Sequence, residues 1–333
     1  MKSANQQLFI AWTKYQRRAA SMQPYFGYEL KFVPTTIKKP KVVDYLIKLA
    51  RTVCCLLAYR PKILWTQLPP TFLTDLAILY RKIFKRKTVI IADCHNGVFW
   101  GKWERFLNVN KLNKYDIIIV HNWAIKNIAV DKGIDDSKIV ILETKPAHKS
   151  LNNVVDPKKS GCPQVLMPCG FSVDEPLEIV FDAAQKIPEI DILVSGPKER
   201  GESLFDYNKK PDNVHLIGYL SKKDYETVFL QSDLVLGLTT EDHIQLSVAN
   251  EAAGFEIPMV ISNTKLLQDL FNKGAVYVET LNADSIANGI KNALQHLDSL
   301  REDVKVLKKE RNQKWENMAS ALNKKIEKLT ITK

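Results

Sequence analysis

The sequence of 333 residues predicts an α/β fold made of two doubly wound domains. Apolar runs of strand length alternate with amphipathic stretches of helix length, which is the pattern of parallel βαβ units. Some of these runs, such as residues 89–92 and 117–120, are apolar throughout, which indicates a sheet covered by helices on both faces. The alternation is interrupted once by a polar stretch and then restarts. We therefore expect two domains of about 150 residues, each with its own core.

The N-terminal half supplies the elements of the first domain, over residues 1–150. Its predicted strands are residues 8–12, 29–33, 63–67, 88–92, 116–120 and 138–142. Its predicted helices are residues 42–58, 72–84 and 124–131. A polar stretch containing Pro146, Pro157 and the Lys-Lys-Ser-Gly run 158–161 follows. Because proline and small polar residues mark connections between domains, we predict an interdomain linker at residues 151–162.

The alternation restarts in a C-terminal domain over residues 163–310. Its predicted strands are residues 164–167, 191–195, 214–217, 234–238, 259–262 and 275–278. Its predicted helices are residues 176–186, 222–231, 247–254, 265–272 and 284–297. A last helix over residues 300–329 is rich in Lys and Glu. We expect its final part, residues 311–333, to pack back on the N-terminal domain, and a free solvated helix is the alternative.

The sequence lacks the motifs that are typical of several other classes of protein. The first predicted strand is followed by Thr-Lys-Tyr-Gln-Arg-Arg, and not by the Gly-x-Gly-x-x-Gly turn of a dinucleotide dehydrogenase. No Gly-x-x-x-x-Gly-Lys-Ser/Thr loop of a P-loop ATPase occurs either. The five cysteines include no Cys-x-x-Cys spacing, so neither a disulfide framework nor a zinc site is expected. With no uncharged apolar run of about 18 residues and no signal peptide, we expect a cytoplasmic protein.

Charge is distributed unevenly between the two halves. Residues 1–160 carry 28 Lys and Arg against 11 Asp and Glu, whereas residues 161–333 carry 20 against 26. A basic domain of this kind suits an anionic surface such as phospholipid headgroups or lipid diphosphates, and a solvated basic face is the alternative. We expect peripheral contact with an anionic membrane, to which the helices 42–58 and 72–84 could contribute, although their apolar faces equally fit a core. No nucleic-acid partner is expected, because the basic residues form no recognisable reading motif.

The segment after the predicted strand 234–238 carries the most specific motif. A polar loop is followed by a helix that starts near residues 245–247 and presents Glu251, and then by the strand entry Pro-Met-Val-Ile-Ser. The N-terminus of a helix offers free N–H groups and partial positive charge to a diphosphate. The segment resembles the donor-sugar segment of the GT4-like glycosyltransferases, the glycosyl transferases group 1 family. The resemblance implies that Glu251 accepts both hydroxyls of a ribose, and an ordinary exposed helix glutamate is the alternative.

The family pattern is incomplete in this sequence. His243 stands eight residues before Glu251, where the family has a second glutamate, and Ile-Gln-Leu replaces the customary Gly-Phe-Gly. Glu241 or Asp242 could replace the lost carboxylate, or His243 could contact the donor itself. Glycine after the neighbouring strand permits a close approach of the donor, and a turn after residues 214–217 resembles the family's base-binding turn. The predicted donor-binding residues are Glu251, His243, Gln245, Leu246, Ser247, Thr240, Gly196, Lys198 and Tyr219.

The loop after the predicted strand 88–92 is the second candidate site. Asp93 and His95 form an Asp-x-His motif at the strand end, which resembles the acceptor-side loop of several GT-B glycosyltransferases. In an inverting transfer one of them would take the proton of the acceptor hydroxyl, whereas in a retaining enzyme His95 would hydrogen-bond the donor sugar. Asp93 could be the base or could orient the imidazole. Alternatively, His95 caps the turn while Gly97 makes the bend. Arg17 and Arg18 are predicted contacts for a lipid-diphosphate acceptor, together with Gly97.

Together these features predict a GT-B protein, with two Rossmann-like domains that face each other across a cleft. The resemblance implies transfer of a hexose-type sugar from a UDP- or GDP-sugar to a lipid-linked or polysaccharide acceptor. No metal and no resident cofactor are expected, because helix amides and basic residues offset the leaving-group charge in such enzymes. The missing glutamate and glycine loop leave a catalytically silent partner subunit as one alternative. A nucleotide-sugar epimerase or hydrolase is the other.

Overall fold

The computed structural model describes residues 7–36, 40–84, 87–147 and 161–332. It divides into two compact units. The first unit comprises residues 1–145 and 314–333, and the second comprises residues 146–313. Most of the predicted linker, residues 151–162, lies outside the described residues.

The first unit is built on a parallel sheet of six strands in the order β2-β1-β3-β4-β5-β6. The strands are β1 Gln7–Ala11, β2 Glu29–Phe32, β3 Ile63–Leu68, β4 Val89–Cys94, β5 Ile117–Val120 and β6 Ile139–Ile141. The helices are α1 Arg17–Phe26, α2 Lys41–Tyr59, α3 Phe72–Ile83, α4 Val109–Leu112 and α5 Trp123–Asp131.

Both faces of this sheet are covered, as its continuously apolar strands predict. Ile90 and Ile118 point into one buried apolar cluster, which includes residues of α3. Ile91 and Ile119, one residue further along each strand, point into a second cluster on the opposite face. The doubly wound α/β prediction is confirmed.

Helix α1 is an element that the sequence interpretation lacks, because no helix was predicted between the first two strands. Gln16 is its N-cap, and the Gln16 side chain accepts a hydrogen bond from the backbone N–H of Ala19. Gly27 ends the helix in the left-handed conformation that favours glycine (φ 69°). The periodic signal is weak because only a narrow stripe of α1 is buried and Pro24 lies inside the helix.

The second unit repeats the architecture with the strand order β12-β11-β10-β7-β8-β9. The strands are β7 Gln164–Pro168, β8 Asp191–Ser195, β9 Val214–Gly218, β10 Leu234–Gly237, β11 Met259–Ser262 and β12 Ala275–Val278. The helices are α6 Leu177–Gln185, α7 Lys222–Gln231, α8 Ser247–Phe255, α9 Lys265–Leu270 and α10 Ala283–Gln295. Its strands lie within one or two residues of the predicted ones.

The last helix, α11 Leu297–Thr332, begins in the second unit and ends in the first. Trp315, Ala319, Leu322 and Ile326 recur at spacings of three and four residues. These four side chains are buried in the same cluster as Ile91 and Ile119 of the first sheet. Within the described part of the chain, every helix is too short or too polar to span a bilayer.

Candidate active site

A buried ion pair stands at the carboxyl end of β4 in the first unit. Asp93 is fully buried, and Nε of Arg18 lies 3.2 Å from its Oδ1. Arg18 also donates from Nη2 to the carbonyl of Leu142 (2.7 Å) and from Nη1 to the carbonyl of Glu143 (3.0 Å). Arg18 belongs to α1, and its guanidinium is thus held in place by the backbone that follows β6. Its donors are used within the protein, so Arg18 positions Asp93, whereas the sequence analysis assigned it to acceptor contact.

Two histidines adjoin the Asp93 carboxylate. Nε2 of His95 lies 4.0 Å from Oδ2 of Asp93, and Nε2 of His121 lies 3.8 Å from Oδ1. The two imidazole rings meet edge to face, with centroids 4.6 Å apart. The amide nitrogen of Gln16 lies 3.3 Å from Nε2 of His95 and donates to it when the ring proton is on Nδ1.

Burial and neighbouring charges set the protonation states of this cluster. Burial alone would raise the pKa of Asp93, but the charge of Arg18 and then the contacts with His121 and His95 hold it well below its usual range. Burial, followed by the charges of His121 and Arg18, lowers the pKa of His95 to about 3 against the opposing charge of Asp93. Burial, followed by the charge of Arg18, also lowers the pKa of His121. At neutral pH the site therefore holds an ionised carboxylate beside two neutral imidazoles.

Several buried polar atoms at this edge of the sheet have no hydrogen-bonding partner among the described residues. They are Oδ2 of Asp93, Nε2 of His121, Oε1 of Gln67 and Oδ1 of Asn96. Gln67 on β3 is the register partner of Asp93, so these two side chains start from adjacent strands at the same height. Buried polar groups in proteins are normally satisfied, by a ligand or water where the protein does not do so. Three of the four atoms are hydrogen-bond acceptors, and this set suits a ligand rich in hydroxyl groups.

A divalent cation would fit the distances of the cluster but not its charge. One ligand atom each from Asp93, His95 and His121 lies within 4.8 Å of the others, and these residue types bind zinc in other proteins. Arg18, however, already compensates the single carboxylate of the group. A divalent cation would add two positive charges beside a buried guanidinium, which a low-dielectric site disfavours.

The other predicted acceptor residues differ in exposure. Arg17, on the first turn of α1, is exposed. Gly97 lies in a short 3-10 helix after His95, where an added Cβ would meet nothing closer than Pro69 Cγ at 3.9 Å. The bend at Gly97 therefore does not require glycine. Gly97 does lie in the turn, whereas the His95 side chain makes no capping hydrogen bond there.

In the second unit, α8 starts close to the end of β10. A Cβ on Gly237, at the end of β10, would lie 2.7 Å from Val248 Cγ1, so glycine lets α8 approach the strand closely. Ser247 is the first residue of α8, and the buried Leu246 is its N-cap. Glu251, one turn further on, is half-buried and accepts a hydrogen bond from the hydroxyl of Tyr225. Tyr225 was not among the predicted residues, and its position in α7 gives no sequence signal.

The loop between β10 and α8 is held by contacts of its own. The backbone N–H of Thr240 donates to the carbonyl of Asp174 (2.9 Å), and the Gln245 amide donates to Oδ1 of Asn250 (3.1 Å). His243 is mostly buried, with Nδ1 3.9 Å from Oε2 of Glu241. His243 therefore has a carboxylate neighbour at the position where the family has a glutamate.

The remaining predicted donor residues are placed differently from one another. An added Cβ on Gly196 (φ 143°) would lie 2.0 Å from the carbonyl oxygen of Cys169. Glycine is thus needed there for close contact with the chain's own backbone, and the expected role of Gly196 in ligand approach stays a prediction. Lys198 lies in a short 3-10 helix, and Tyr219 is 85% exposed.

The turn after β7 carries its own anion. Glu175 accepts hydrogen bonds from the backbone N–H groups of Gly170 and Ser172, each at 3.1 Å. Those amides are therefore occupied by a carboxylate of the chain. Of the helix starts at this edge of the second sheet, α8 is the one whose sequence resembles a diphosphate-binding segment.

Comparison with known proteins assigns the second unit. Residues 171–311 match the family model described as glycosyl transferases group 1. The matched residues lie in the second unit, whose domain is therefore similar to the glycosyl transferases group 1 family. This domain contains Glu251, Tyr225 and the start of α8, and its identification confirms the prediction of a glycosyltransferase. A search of curated protein sequences finds no match.

Solved structures extend the likeness to the whole chain. HepE from Anabaena, in complex with UDP-glucose, is 12% identical with a TM-score of 0.71, covering 96% of this chain and 99% of that one. Sucrose-phosphate synthase from Thermosynechococcus elongatus is 14% identical with a TM-score of 0.72, covering 98% and 99%. The lipopolysaccharide outer core galactosyltransferase WaaB is 13% identical with a TM-score of 0.64, covering 95% and 99%. At these identities the likeness establishes the fold, and the predicted GT-B fold is confirmed.

Proposed function

We propose that this glycosyltransferase moves a hexose-type sugar from a nucleotide-sugar to a hydroxyl of a lipid-linked or polysaccharide acceptor. The observation that carries the proposal is the buried cluster of Asp93, His95 and His121, held by Arg18 at the end of β4. The match of residues 171–311 to the glycosyl transferases group 1 model supports donor binding by the second unit. UDP-hexose is the favoured donor because HepE, which shares the fold, binds UDP-glucose.

The second unit would bind the donor through the start of α8. Backbone N–H groups at residues 245–247 lack partners within a helix and carry its partial positive charge, so they suit a diphosphate. Glu251 would accept two hydrogen bonds from the ribose, and the Tyr225 hydroxyl would fix the carboxylate in place. Since α8 offsets charge on the leaving nucleotide, the proposed transfer uses no metal ion.

The first unit would hold the acceptor hydroxyl. In the transfer, the acceptor oxygen forms a bond to the anomeric carbon, the bond from that carbon to the diphosphate breaks, and the hydroxyl loses its proton. The acceptor atoms of Asp93, Gln67 and Asn96 would receive hydrogen bonds from sugar hydroxyls. His95 is neutral and half-buried, so it would orient the reacting hydroxyl and accept its proton, while the Asp93 carboxylate would stabilise the imidazolium that forms.

A lipid-linked acceptor requires contact with a membrane. The excess of Lys and Arg in residues 1–160 supports attraction of the first unit to anionic headgroups. We therefore include peripheral attachment at the cytoplasmic face of a membrane in the proposal.

Donor binding is the first test. UDP-hexoses and GDP-hexoses would be screened for an increase in the unfolding temperature of the full chain. We expect one class to stabilise the protein, and Glu251→Gln to abolish the effect. Glu302→Gln, on the exposed face of α11, is the matched control and should leave it unchanged. A protein that no nucleotide-sugar stabilises would be the silent subunit and not the proposed enzyme.

Product analysis is the second test. The labelled donor would be incubated with extracted lipid and polysaccharide, and the label followed. Label in either acceptor supports transfer, whereas free or isomerised sugar without any acceptor indicates a hydrolase or epimerase. We expect activity to survive a chelator. If the chelator abolished activity and zinc restored it, the Asp93 cluster would instead act through a bound metal ion.

A further inference from the structure

Helix α2 has its polar face turned toward the protein. Its buried positions, spaced by four residues, are Asp44, Lys48, Thr52 and Leu56. Nζ of Lys48 lies 2.9 Å from Oδ2 of Asp44 and donates to the Thr35 hydroxyl at 2.8 Å. The indole N–H of Trp12 donates to the Thr52 hydroxyl at 2.9 Å. These polar contacts attach α2 to the unit, which reverses the arrangement usual for a surface helix.

The outward face of α2 is correspondingly apolar, and α3 extends it. Leu46 is 58% exposed and Leu49 is 39% exposed. On α3, Phe72 and Leu79 are also exposed. Between the two helices lies an open apolar groove of about 490 Å³. Contiguous exposed apolar surface of this kind marks a site of contact with a partner or a membrane.

An aromatic cluster connects this face to the loop that carries the candidate active site. Phe72 lies 5.9 Å from Trp103 and 6.0 Å from Phe106, measured between ring centroids. Trp103 and Phe106 belong to the segment that follows His95 in the chain, and Trp100 in that segment is also exposed. Tryptophan flanked by basic residues is typical of the interface between a bilayer and water. Lys102 and Arg105 supply those basic residues here.

The charge of the surface is positive. Its acidic residues are each paired with a lysine: Asp44 with Lys48 at 2.9 Å, Asp75 with Lys111 at 2.5 Å and Glu104 with Lys132 at 2.5 Å. The exposed cations on the same elements are Lys41, Arg51, Lys82, Lys102 and Arg105. A symmetric dimer through this face would place like charges against one another, because the same patch forms both halves of the interface. Anionic headgroups would complement it.

We propose that the outward faces of α2 and α3 and the aromatic segment 100–106 form one surface that inserts into an anionic bilayer. Apolar side chains enter below the headgroups, while the surrounding cations contact the phosphates. This inference deepens the membrane contact of the proposed function and rests on that function for its purpose. It would keep the loop of Asp93 and His95 beside the membrane in which a lipid-linked acceptor is embedded.

Binding of the full chain to vesicles tests the proposal. Vesicles of phosphatidylcholine with phosphatidylglycerol would be compared with phosphatidylcholine alone. The variant is Leu46→Gln with Leu49→Gln, and the matched control is Leu204→Gln with Val306→Gln, two similarly exposed apolar residues elsewhere. We expect the double variant to need at least roughly tenfold more lipid than the wild type for half-maximal binding, because two partly inserted leucines are lost. The control should bind like the wild type, and omission of phosphatidylglycerol should weaken binding of all three.

Three results would overturn the proposal. The first is no binding of the wild type to anionic vesicles, and the second is equal binding by the wild type and the double variant. The third is a wild type that is dimeric in solution together with a double variant that is monomeric. The last result would mean that a second copy covers the surface. Donor binding and transfer to a water-soluble acceptor are measured on the same samples. Vesicle binding without donor binding would refute the proposed function alone, and normal transfer without vesicle binding would refute the membrane surface alone.

Discussion

Replacement of Arg18 by methionine should destabilise the first unit strongly. Arg18 is 4% exposed, and its guanidinium contacts Asp93 and the carbonyls of Leu142 and Glu143. Removing one partner of a buried ion pair leaves the other charge uncompensated, a loss of about 3–5 kcal/mol. Methionine has a flexible apolar chain that fills most of the vacated volume, so a cavity contributes little. We expect the free energy of unfolding at pH 8 to fall by about 3–5 kcal/mol.

The deficit should also depend on pH in a defined direction. In the wild type the pKa of Asp93 lies below its unfolded value, so its contribution is present above about pH 4 and is lost as the pH falls. Without Arg18, burial is expected to raise this pKa above the unfolded value, so that folding favours the protonated acid. Stability of the variant then falls as pH rises through the new pKa. Each unit of difference in pKa corresponds to about 1.4 kcal/mol, so the deficit should be larger at pH 8 than at pH 4.

Tryptophan fluorescence provides a specific assay. The six tryptophans of the chain all lie within the residue ranges of the first unit. Urea unfolding followed by their emission therefore reports on that unit. Arg17→Met, on the exposed side of the same helical turn, is the control and should change stability by no more than about 0.5 kcal/mol. Arg18→Met combined with Asp93→Asn should recover part of the loss, because no charge is then left buried. A deficit equal to that of Arg17→Met, or one that is the same at pH 4 and pH 8, would refute the reasoning.

Three further predictions concern donor binding, the candidate active site and α2. Tyr225→Phe should weaken nucleotide-sugar binding several-fold, because the Glu251 carboxylate loses the hydrogen bond from the Tyr225 hydroxyl. Tyr207→Phe, which removes a hydroxyl elsewhere, should not weaken binding. Equal effects of the two variants in a calorimetric titration would contradict a positioning role for Tyr225. Because the pKa of His95 is lowered to about 3, the histidine stays neutral from about pH 5 to 8. The pH profile of kcat/KM over this range should therefore contain no step due to ionisation of His95, and His95→Gln should not change the shape of the profile. A limb near the ordinary histidine pKa, lost in that variant, would count against the assignment. Asp44→Ala should destabilise the first unit by about 3–5 kcal/mol because it leaves Lys48 buried without its carboxylate, while Leu46→Gln should have an effect within about 0.5 kcal/mol. The reverse order in urea unfolding would mean that the apolar face of α2 is covered in solution.

The fold was largely predictable because strands and long helices leave periodic patterns in the sequence. β4 and β5 are apolar throughout, and their burial on both faces follows from that pattern alone. Helix α1 was missed because its buried stripe contains Arg18 in place of an apolar residue and its interior contains Pro24. An arginine becomes a core residue only when distant groups satisfy its donors. Those groups stand at the ends of β4 and β6, and the two carbonyls after β6 lie more than a hundred positions from Arg18 in the chain. Local periodicity therefore cannot reveal them.

The candidate active site was predictable to the extent that it follows strand ends. Asp93 and His95 were found by inspecting the residues after an apolar strand, and the same rule applied to β5 would have found His121. Tyr225 offers no such signal, because it reaches Glu251 from the middle of another helix. The structural need for glycine at position 196 was missed for a related reason. A positive φ and a nearby carbonyl require glycine there, and neither can be inferred from the residue type.

Helix α2 shows why periodicity identifies an amphipathic helix without telling which face is inside. The spacing of Leu46, Leu49 and Leu57 predicts a helix equally well whether these residues face a core or a bilayer. What orients α2 is the set of polar groups on the protein side, namely the indole N–H of Trp12 and the hydroxyl of Thr35. An ion pair such as Asp44 with Lys48 would contribute little on the surface and is unfavourable in a core unless such partners complete its hydrogen bonds. Its presence on the buried side, with leucines left outside, is therefore explained better by an apolar environment beyond the helix than by packing within the unit.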